Sequence, residues 1–241
     1  MTIAVASILR SGRSLSSSPR DAAGLRDLFR RRTAECLAVS NYTTPGTYKV
    51  ETLMLHIWVE IFRMADMDGA LTFVLASTVK LAFRMGYHRD PKYFPRISAM
   101  EGEMRRRTWA LLCQMDTLMS FQVGLPRSIL QWHYDTEPPR NISDEEFDEQ
   151  TDMLPPAWPE FHATTVSYLR AKLRVMEVFG TITDIAFSQK ESVPYGRILE
   201  LDKKLEKAHE LIPPFLRARP LEESIGTSME IVTRRFTLET W

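Results

Sequence analysis

The chain has 241 residues, 44% of them hydrophobic and 26% charged, which is typical of a globular protein whose core needs no disulfide or metal staple. Its 31 basic and 31 acidic residues cancel, so no overall positive field draws it onto nucleic acid or an anionic membrane. Two cysteines, Cys36 and Cys113, are too few for a disulfide framework or a structural zinc site, and no run of 18 apolar residues predicts a membrane span.

The first third of the chain is predicted to be a short tail followed by three helices. Residues 1–20 hold six serines, three arginines and no acid. This composition favours a disordered tail, with a mitochondrial presequence as the alternative. Helical spacing of apolar residues then predicts helices over 21–39, 48–64 and 69–85. We expect Asp68 to cap the third helix and Gly86 to end it in the left-handed conformation.

The clearest predicted helix runs from Ser98 to Val123. Its start is a capping box, in which Ser98 and Glu101 each bond the other's backbone N–H. Glu101–Arg105 and Glu103–Arg107 have the spacing of helical ion pairs. One buried stripe is predicted to contain Met100, Met104, Thr108, Leu111, Met115 and Leu118.

A long connector follows from Gly124 to Pro159 and contains six prolines. Between residues 135 and 160 nine acids face one base, so this segment is either a solvated connector or an acidic surface that contacts a partner. A short helix is predicted over 144–151, and Pro159 is expected in the first turn of the next helix. A further helix follows Pro194 and ends at Pro213, and residues 221–241 also have a helical pattern.

Known catalytic patterns are incomplete in this sequence. His88-Arg89-Asp90 has the letters of a kinase catalytic loop, but the phosphate-binding glycine loop and metal-binding partners of a kinase are not found with it. His209-Glu210 is followed by no second histidine at zinc-protease spacing. We therefore expect that the protein is not an enzyme.

Two arginine runs, 30–32 and 105–107, raise the question of phosphate contact. Both lie on predicted amphipathic helices that also carry acids. We expect at least one arginine of each run to point toward other helices and form an ion pair there.

The order of residues from Leu81 to Asn141 resembles a known family. The segment 81–91 reads LAFRMGYHRDP and precedes the arginine run, Trp109, a Gly-Leu-Pro turn and a Pro-Pro pair. This arrangement is similar to the fungal-specific transcription factor domain, the middle homology region of fungal zinc-cluster regulators, over residues 25–241. The matched positions are Gly86, His88, Arg89, Asp90, Glu103, Arg105, Arg106, Arg107, Trp109, Asp116, Gly124 and Pro126.

The resemblance implies an all-α, irregular multi-helix regulatory domain over residues 21–241, behind the tail of residues 1–20. Family members usually carry an N-terminal six-cysteine zinc cluster that reads DNA, and their domain continues beyond the position of Trp241. We therefore expect a domain incomplete at its C-terminus, zinc only in a cluster outside this sequence, and DNA reached only through that cluster. We expect Gly86 to shape a turn braced by residues 88–90, and Trp109 to pack in the core.

The resemblance also implies a nuclear transcription regulator, which acts on a metabolic or secondary-metabolite gene cluster. Its candidate partners are a second copy of the chain, a small-molecule effector and a co-regulator protein. An effector-binding helical domain without a DNA role is the first alternative. A non-functional fragment is the second.

Overall fold

The computed structural model describes residues 19–63, 69–188 and 193–218, together with Ile231, Arg234 and Leu238. Every regular element in these residues is helical, which confirms the predicted all-α class. The chain divides into two compact units, residues 1–86 and 87–241. The predicted tail of residues 1–20 lies almost wholly outside the described residues, as do Asp68 and most of 221–241.

The first unit contains α1 (Pro19–Val39), α2 (Lys49–Arg63) and α3 (Ala70–Arg84). Its core lies between α2 and α3, where Val50, Ile57, Leu75 and Val79 are at most 2% exposed. Burying a side chain of this kind contributes about 1.5–3 kcal/mol. The arginine run on α1 behaves as predicted, because Arg30 forms an ion pair of 3.4 Å with the buried Glu60.

The turn between α1 and α2 is fixed by one lysine. Lys49 Nζ donates to the Ser40 and Asn41 carbonyl oxygens at 2.8 and 2.9 Å and to Thr44 Oγ1 at 2.9 Å. The turn needs this support because Asn41 and Tyr48 both have positive φ, at 52° and 58°. The sequence predicts this segment only as a break between helices, whereas the structure shows a turn fixed by hydrogen bonds.

The second unit contains α4 (Ala99–Gln122), α5 (Ser167–Phe187) and α6 (Tyr195–Glu210), with α5 packed against both neighbours. Single 3₁₀ turns lie at Pro91–Tyr93, Gln131–His133, Asp144–Glu146 and Pro214–Leu216. Two buried clusters join α5 to α6 and to residues after α6. They are formed by Val175, Met176 and Ala208 and by Ala171, Ile212, Leu216 and Leu238.

The stripe predicted on α4 is wrong in part. Thr108 and Met115 are buried, but Met104 and Leu111 are 43% and 39% exposed. The buried face instead includes Glu103, Arg106, Arg107 and Asp116. Apolar periodicity misplaced this face because charged side chains occupy it. The structure also shows half of the capping box: Ser98 Oγ accepts from the Glu101 N–H at 3.2 Å, whereas the Glu101 carboxylate accepts from Arg105.

Two further boundaries differ from prediction. The acidic helix expected over 144–151 is only the 3₁₀ turn Asp144–Glu146. Pro159 does not begin α5, which starts at Ser167. The intervening residues instead form a turn whose carbonyl groups bond the side chain of Asn141.

Gly86 has φ of +75° directly after α3, as predicted. Replacing it with alanine is expected to destabilise the first unit by about 1–2 kcal/mol, because an L side chain is strained at this φ. Gly196→Ala is the matched control, since its Cβ meets nothing within 4 Å at a helical position of α6. Urea unfolding of both variants measures the difference, and equal stabilities would contradict the assignment.

Candidate functional site

A buried ion pair joins the turn after residue 86 to the long helix α4. Arg106 donates from Nε and Nη2 to the two carboxylate oxygens of Asp90 at 2.9 and 2.8 Å. Asp90 is 0% exposed and also accepts the backbone N–H of Lys92 at 3.0 Å and of Glu137 at 2.9 Å. One carboxylate therefore holds α4, the turn and the connector at Glu137 together.

About one helical turn before Arg106, α4 buries a second acid. Glu103 is 0% exposed and accepts from Arg107 Nε at 3.0 Å and from the Arg140 N–H at 3.2 Å. The guanidinium of Arg107 continues to the carboxylate of Asp144 and to the carbonyl of Ile142 at 3.1 Å. The predicted i,i+4 pair is therefore one link in a chain of contacts that reaches the connector.

Asn141 organises the far end of the connector. It is 1% exposed, and its Nδ2 donates to the Pro159 carbonyl at 2.8 Å and to the Trp158 carbonyl at 3.2 Å. Its Oδ1 accepts from Thr164 Oγ1 at 2.7 Å. The side-chain amide of Asn141 thus bonds residues 158–164, which lie shortly before the start of α5.

The end of α4 is shaped by Asp116. Its Oδ2 accepts the N–H groups of Ser128 and Ile129 at 2.8 and 2.7 Å. Gly124, with φ of +70°, lets the chain turn out of the helix before Pro126. These contacts hold the loop after the helix against its last turns.

Sequence reasoning missed the next contact in this loop. Arg127 donates from Nε and Nη2 to both oxygens of Asp184 on α5, at 2.7 and 2.6 Å. The guanidinium lies over Gly180, where an added Cβ would come within 2.6 Å of Nη1. The sequence does contain a signal for this contact. Gly180 precedes Asp184 by four residues, and this spacing places both on one face of α5.

The remaining predicted positions surround the Asp90–Arg106 pair. Trp109 is 2% exposed, and its ring meets that of Tyr134 edge-on at 5.6 Å. Arg89 pairs with Asp135 at 3.0 Å on the surface, and the carbonyl of His88 accepts the N–H of Asp135 at 3.0 Å. Arg105 places its guanidinium 4.9 Å from the ring centre of Tyr87. Residues 88–90 thus brace the turn against the connector rather than against one another.

The environment sets the acidity of these carboxyl groups. Burial opposes ionisation of Asp90, but the hydrogen bonds from Arg106, Glu137 and Lys92 outweigh it and lower its pKa to about 2. Burial dominates at Glu103 and Asp116 and raises the pKa of each above its ordinary value, despite the donors that face them. All three groups are engaged in binding the protein's own backbone and arginines.

Asp90, Glu103, Asp116 and Asn141 all bond other segments of the same chain. Among the described residues, no three His, Cys, Asp or Glu side chains converge where they could hold a metal ion. Across the same residues, the structure shows no helix long and apolar enough to cross a membrane. The network, defined here as Asp90, Glu103, Arg106, Arg107 and Asn141, positions the connector.

The amino-acid sequence matches a known protein family. The sequence profile of the fungal specific transcription factor domain matches residues 3–210, and the chain belongs to that family. This confirms the resemblance found in the sequence. No solved structure matches the chain significantly.

Several curated relatives align over most of the chain. It is 38% identical over 211 residues to the pyrrolocin cluster transcription factor of a fungal species (strain NRRL 50135), covering 88% of this chain and 27% of that protein. It is 40% identical over 223 residues to a Zn(2)-C6 fungal-type transcription factor of Monascus ruber, covering 92% and 27%. The equisetin cluster transcription factor of Fusarium heterosporum is 37% identical over 224 residues, covering 93% and 32%. The chain therefore spans less than a third of each of these relatives, whose names are those of transcription factors and not of enzymes.

Asp90→Asn tests the buried pair. The folded-state pKa of Asp90 is lowered from 3.8 to about 2, so its ionisation stabilises the fold above pH 4, and this contribution is lost as the pH falls toward 2. The variant is expected to lose about 3–5 kcal/mol at pH 7, because Arg106 keeps its buried charge and loses its bidentate partner, while the contact with Glu137 at 3.7 Å remains. It should also lose part of the acid dependence between pH 4 and 2. Urea unfolding at several pH values measures both effects.

The control for this prediction is Glu200→Gln, which removes a carboxylate from the exposed pair with Arg197. It should change stability by less than about 1 kcal/mol. If Asp90→Asn resembles this control at pH 7, the buried pair does not hold the unit together.

Gly180→Ala is expected to destabilise the second unit, by about 1–3 kcal/mol, because the new methyl group displaces Arg127 from Asp184. In an Arg127→Gln background the same substitution should cost much less, since the guanidinium is no longer there to displace. A double-mutant cycle in urea measures this coupling. Additive effects would show that Gly180 and Arg127 act independently.

Proposed function

We propose that this chain is the regulatory domain of a nuclear transcription factor that controls a secondary-metabolite gene cluster. One observation carries the proposal: the family match extends over residues 3–210, and relatives 37–38% identical over about nine tenths of the chain are named as cluster transcription factors. Those relatives are more than three times longer than the matched region. We therefore assign the choice of target genes and the contact with DNA to regions outside the aligned part.

The composition of the chain supports an indirect route to DNA. Its net charge is zero, and its two cysteines are fewer than the six of a binuclear zinc cluster. Several of its arginines are already engaged by the protein itself, as Arg106 and Arg107 are by Asp90 and Glu103. DNA is therefore reached through a zinc-cluster segment or a partner chain that carries one.

The outward surface of the connector supports a regulatory role. Asp144, Glu146 and Glu160 bind groups within the second unit, and Asp148 accepts two hydrogen bonds within its own turn. Like Asp148, three further acids are exposed and form no ion pair with a described residue, namely Glu145, Glu149 and Asp152. These exposed carboxylates give the connector a negatively charged surface. Such a surface suits contact with a co-regulator that carries basic residues.

Deletion of the gene in its native fungus tests this function. The expected result is a joint change, several-fold in size, in the transcripts of one contiguous set of biosynthetic genes, measured by RNA sequencing. Restoring the gene should restore those transcripts, and a fluorescent fusion should concentrate in the nucleus. If neither deletion nor overexpression changes any neighbouring set of genes, the proposal is wrong.

A further inference from the structure

A cleft of about 390 Å³ opens on the surface of the first unit. The turn between α1 and α2 forms one wall through Tyr42 and Thr43, and Leu53 of α2 contributes to the floor. The cleft has the size of a small-molecule site, for which about 300–1,000 Å³ is usual.

One face of α3 forms the rest of the cleft. The contributing positions follow helical spacing and are Phe73, Ala76, Ser77, Lys80, Leu81 and Arg84. At 1.5 Å per residue the stripe is about 16 Å long from Phe73 to Arg84. Its first half is apolar and its second half carries two cations, so the cleft is amphipathic along its length.

The two cations are not neutralised where they stand. Lys80 and Arg84 are both exposed, and neither forms an ion pair with a described residue. Arg84 donates to the Thr43 carbonyl at 3.3 Å, which orients its guanidinium without balancing its charge. None of the described residues that line the cleft carries a carboxylate. This end of the cleft therefore attracts an anion.

The helix dipole opposes this attraction only weakly. Arg84 is the last residue of α3, where the helix carries roughly half a negative charge. The two full positive charges of Lys80 and Arg84 exceed this partial negative charge. The carbonyls of Leu81 and Phe83 are also partly satisfied by the N–H groups of Met85 and Gly86, at 2.9 and 3.1 Å.

The wall of the cleft is already in place without a ligand. Lys49 bonds three oxygen atoms of the turn that carries Tyr42 and Thr43, and Thr43 Oγ1 bonds Asn41 Oδ1 at 2.8 Å. A wall held this way loses little conformational entropy when a ligand binds, which favours affinity.

We propose that this cleft binds an amphipathic organic carboxylate. Its apolar body lies against Phe73 and Ala76, and its carboxylate lies between Lys80 and Arg84. The distance along the helix from Phe73 to Lys80 is about 10 Å, which an eight-carbon chain spans. The proposal does not depend on the transcriptional role, because it concerns binding by the first unit alone.

Titration of the full 241-residue chain with octanoate and with octan-1-ol tests the proposal by calorimetry. Octanoate should bind saturably and about tenfold more tightly than the alcohol, because only the acid reaches both cations. In NMR spectra, the backbone amide signals of the protein that shift on addition of octanoate should be those of Thr43, Ser77 and Lys80. Equal affinity for the two probes, or no saturable binding of octanoate, would overturn the proposal.

Variants that remove positive charge distinguish binding at this cleft from nonspecific electrostatic attraction of octanoate to the protein. Lys80→Gln with Arg84→Gln should weaken octanoate binding about tenfold and leave octan-1-ol binding unchanged. The control is Lys203→Gln with Lys204→Gln, which removes two exposed cations from α6 and should change neither affinity. If both pairs have the same effect on octanoate, the cleft does not hold the carboxylate.

Ala76→Phe provides an independent test by filling the floor. It should abolish binding of both probes while circular dichroism shows unchanged helix content, since Ala76 lies on the cleft side of α3. Unchanged octanoate binding by a folded Ala76→Phe variant would place the ligand elsewhere and overturn the proposal.

Discussion

The architecture of the second unit depends on charges that α4 buries along its inner face. Asp90 and Glu103 are both fully inaccessible, and an ionised carboxylate in such a position needs donors on nearly every lone pair. Arg106 and Arg107 supply the charged donors, and backbone N–H groups from the turn and the connector supply the rest. The helix therefore determines where segments more than thirty residues away along the sequence must lie.

This arrangement favours uniqueness of structure more than net stability. A buried ion pair recovers little beyond the cost of removing its charges from water, whereas breaking one costs about 3–5 kcal/mol. An apolar core would tolerate small shifts of the connector, but the bidentate geometry of Arg106 on Asp90 does not. The connector with six prolines, from Gly124 to Pro159, is thereby anchored to α4 and the turn at Glu137, Arg140 and Ile142.

The sequence predicted the helices well and the connector poorly, for a physical reason. Helix limits follow from local signals such as Gly86 and Ser98, and the structure places them within a few residues of expectation. The start of α5 depends instead on Asn141, which bonds carbonyl groups some twenty residues away, and no local pattern reveals such contacts. Met104 and Leu111 were placed inside because apolar periodicity cannot recognise a helix face buried through paired charges.

The same contrast separates the residues that carry the family resemblance from those that line the proposed ligand cleft. Paired buried charges admit few substitutions, because Arg→Lys loses the bidentate geometry and Asp→Asn leaves a charge unpaired. Asp90, Glu103, Arg106 and Arg107 are such residues within the pattern that resembles the family. The cleft on α3 uses exposed cations and apolar atoms, which many residue combinations provide. A sequence pattern can thus identify the scaffold of such a domain, whereas its ligand must be inferred from the shape and charge of the cleft.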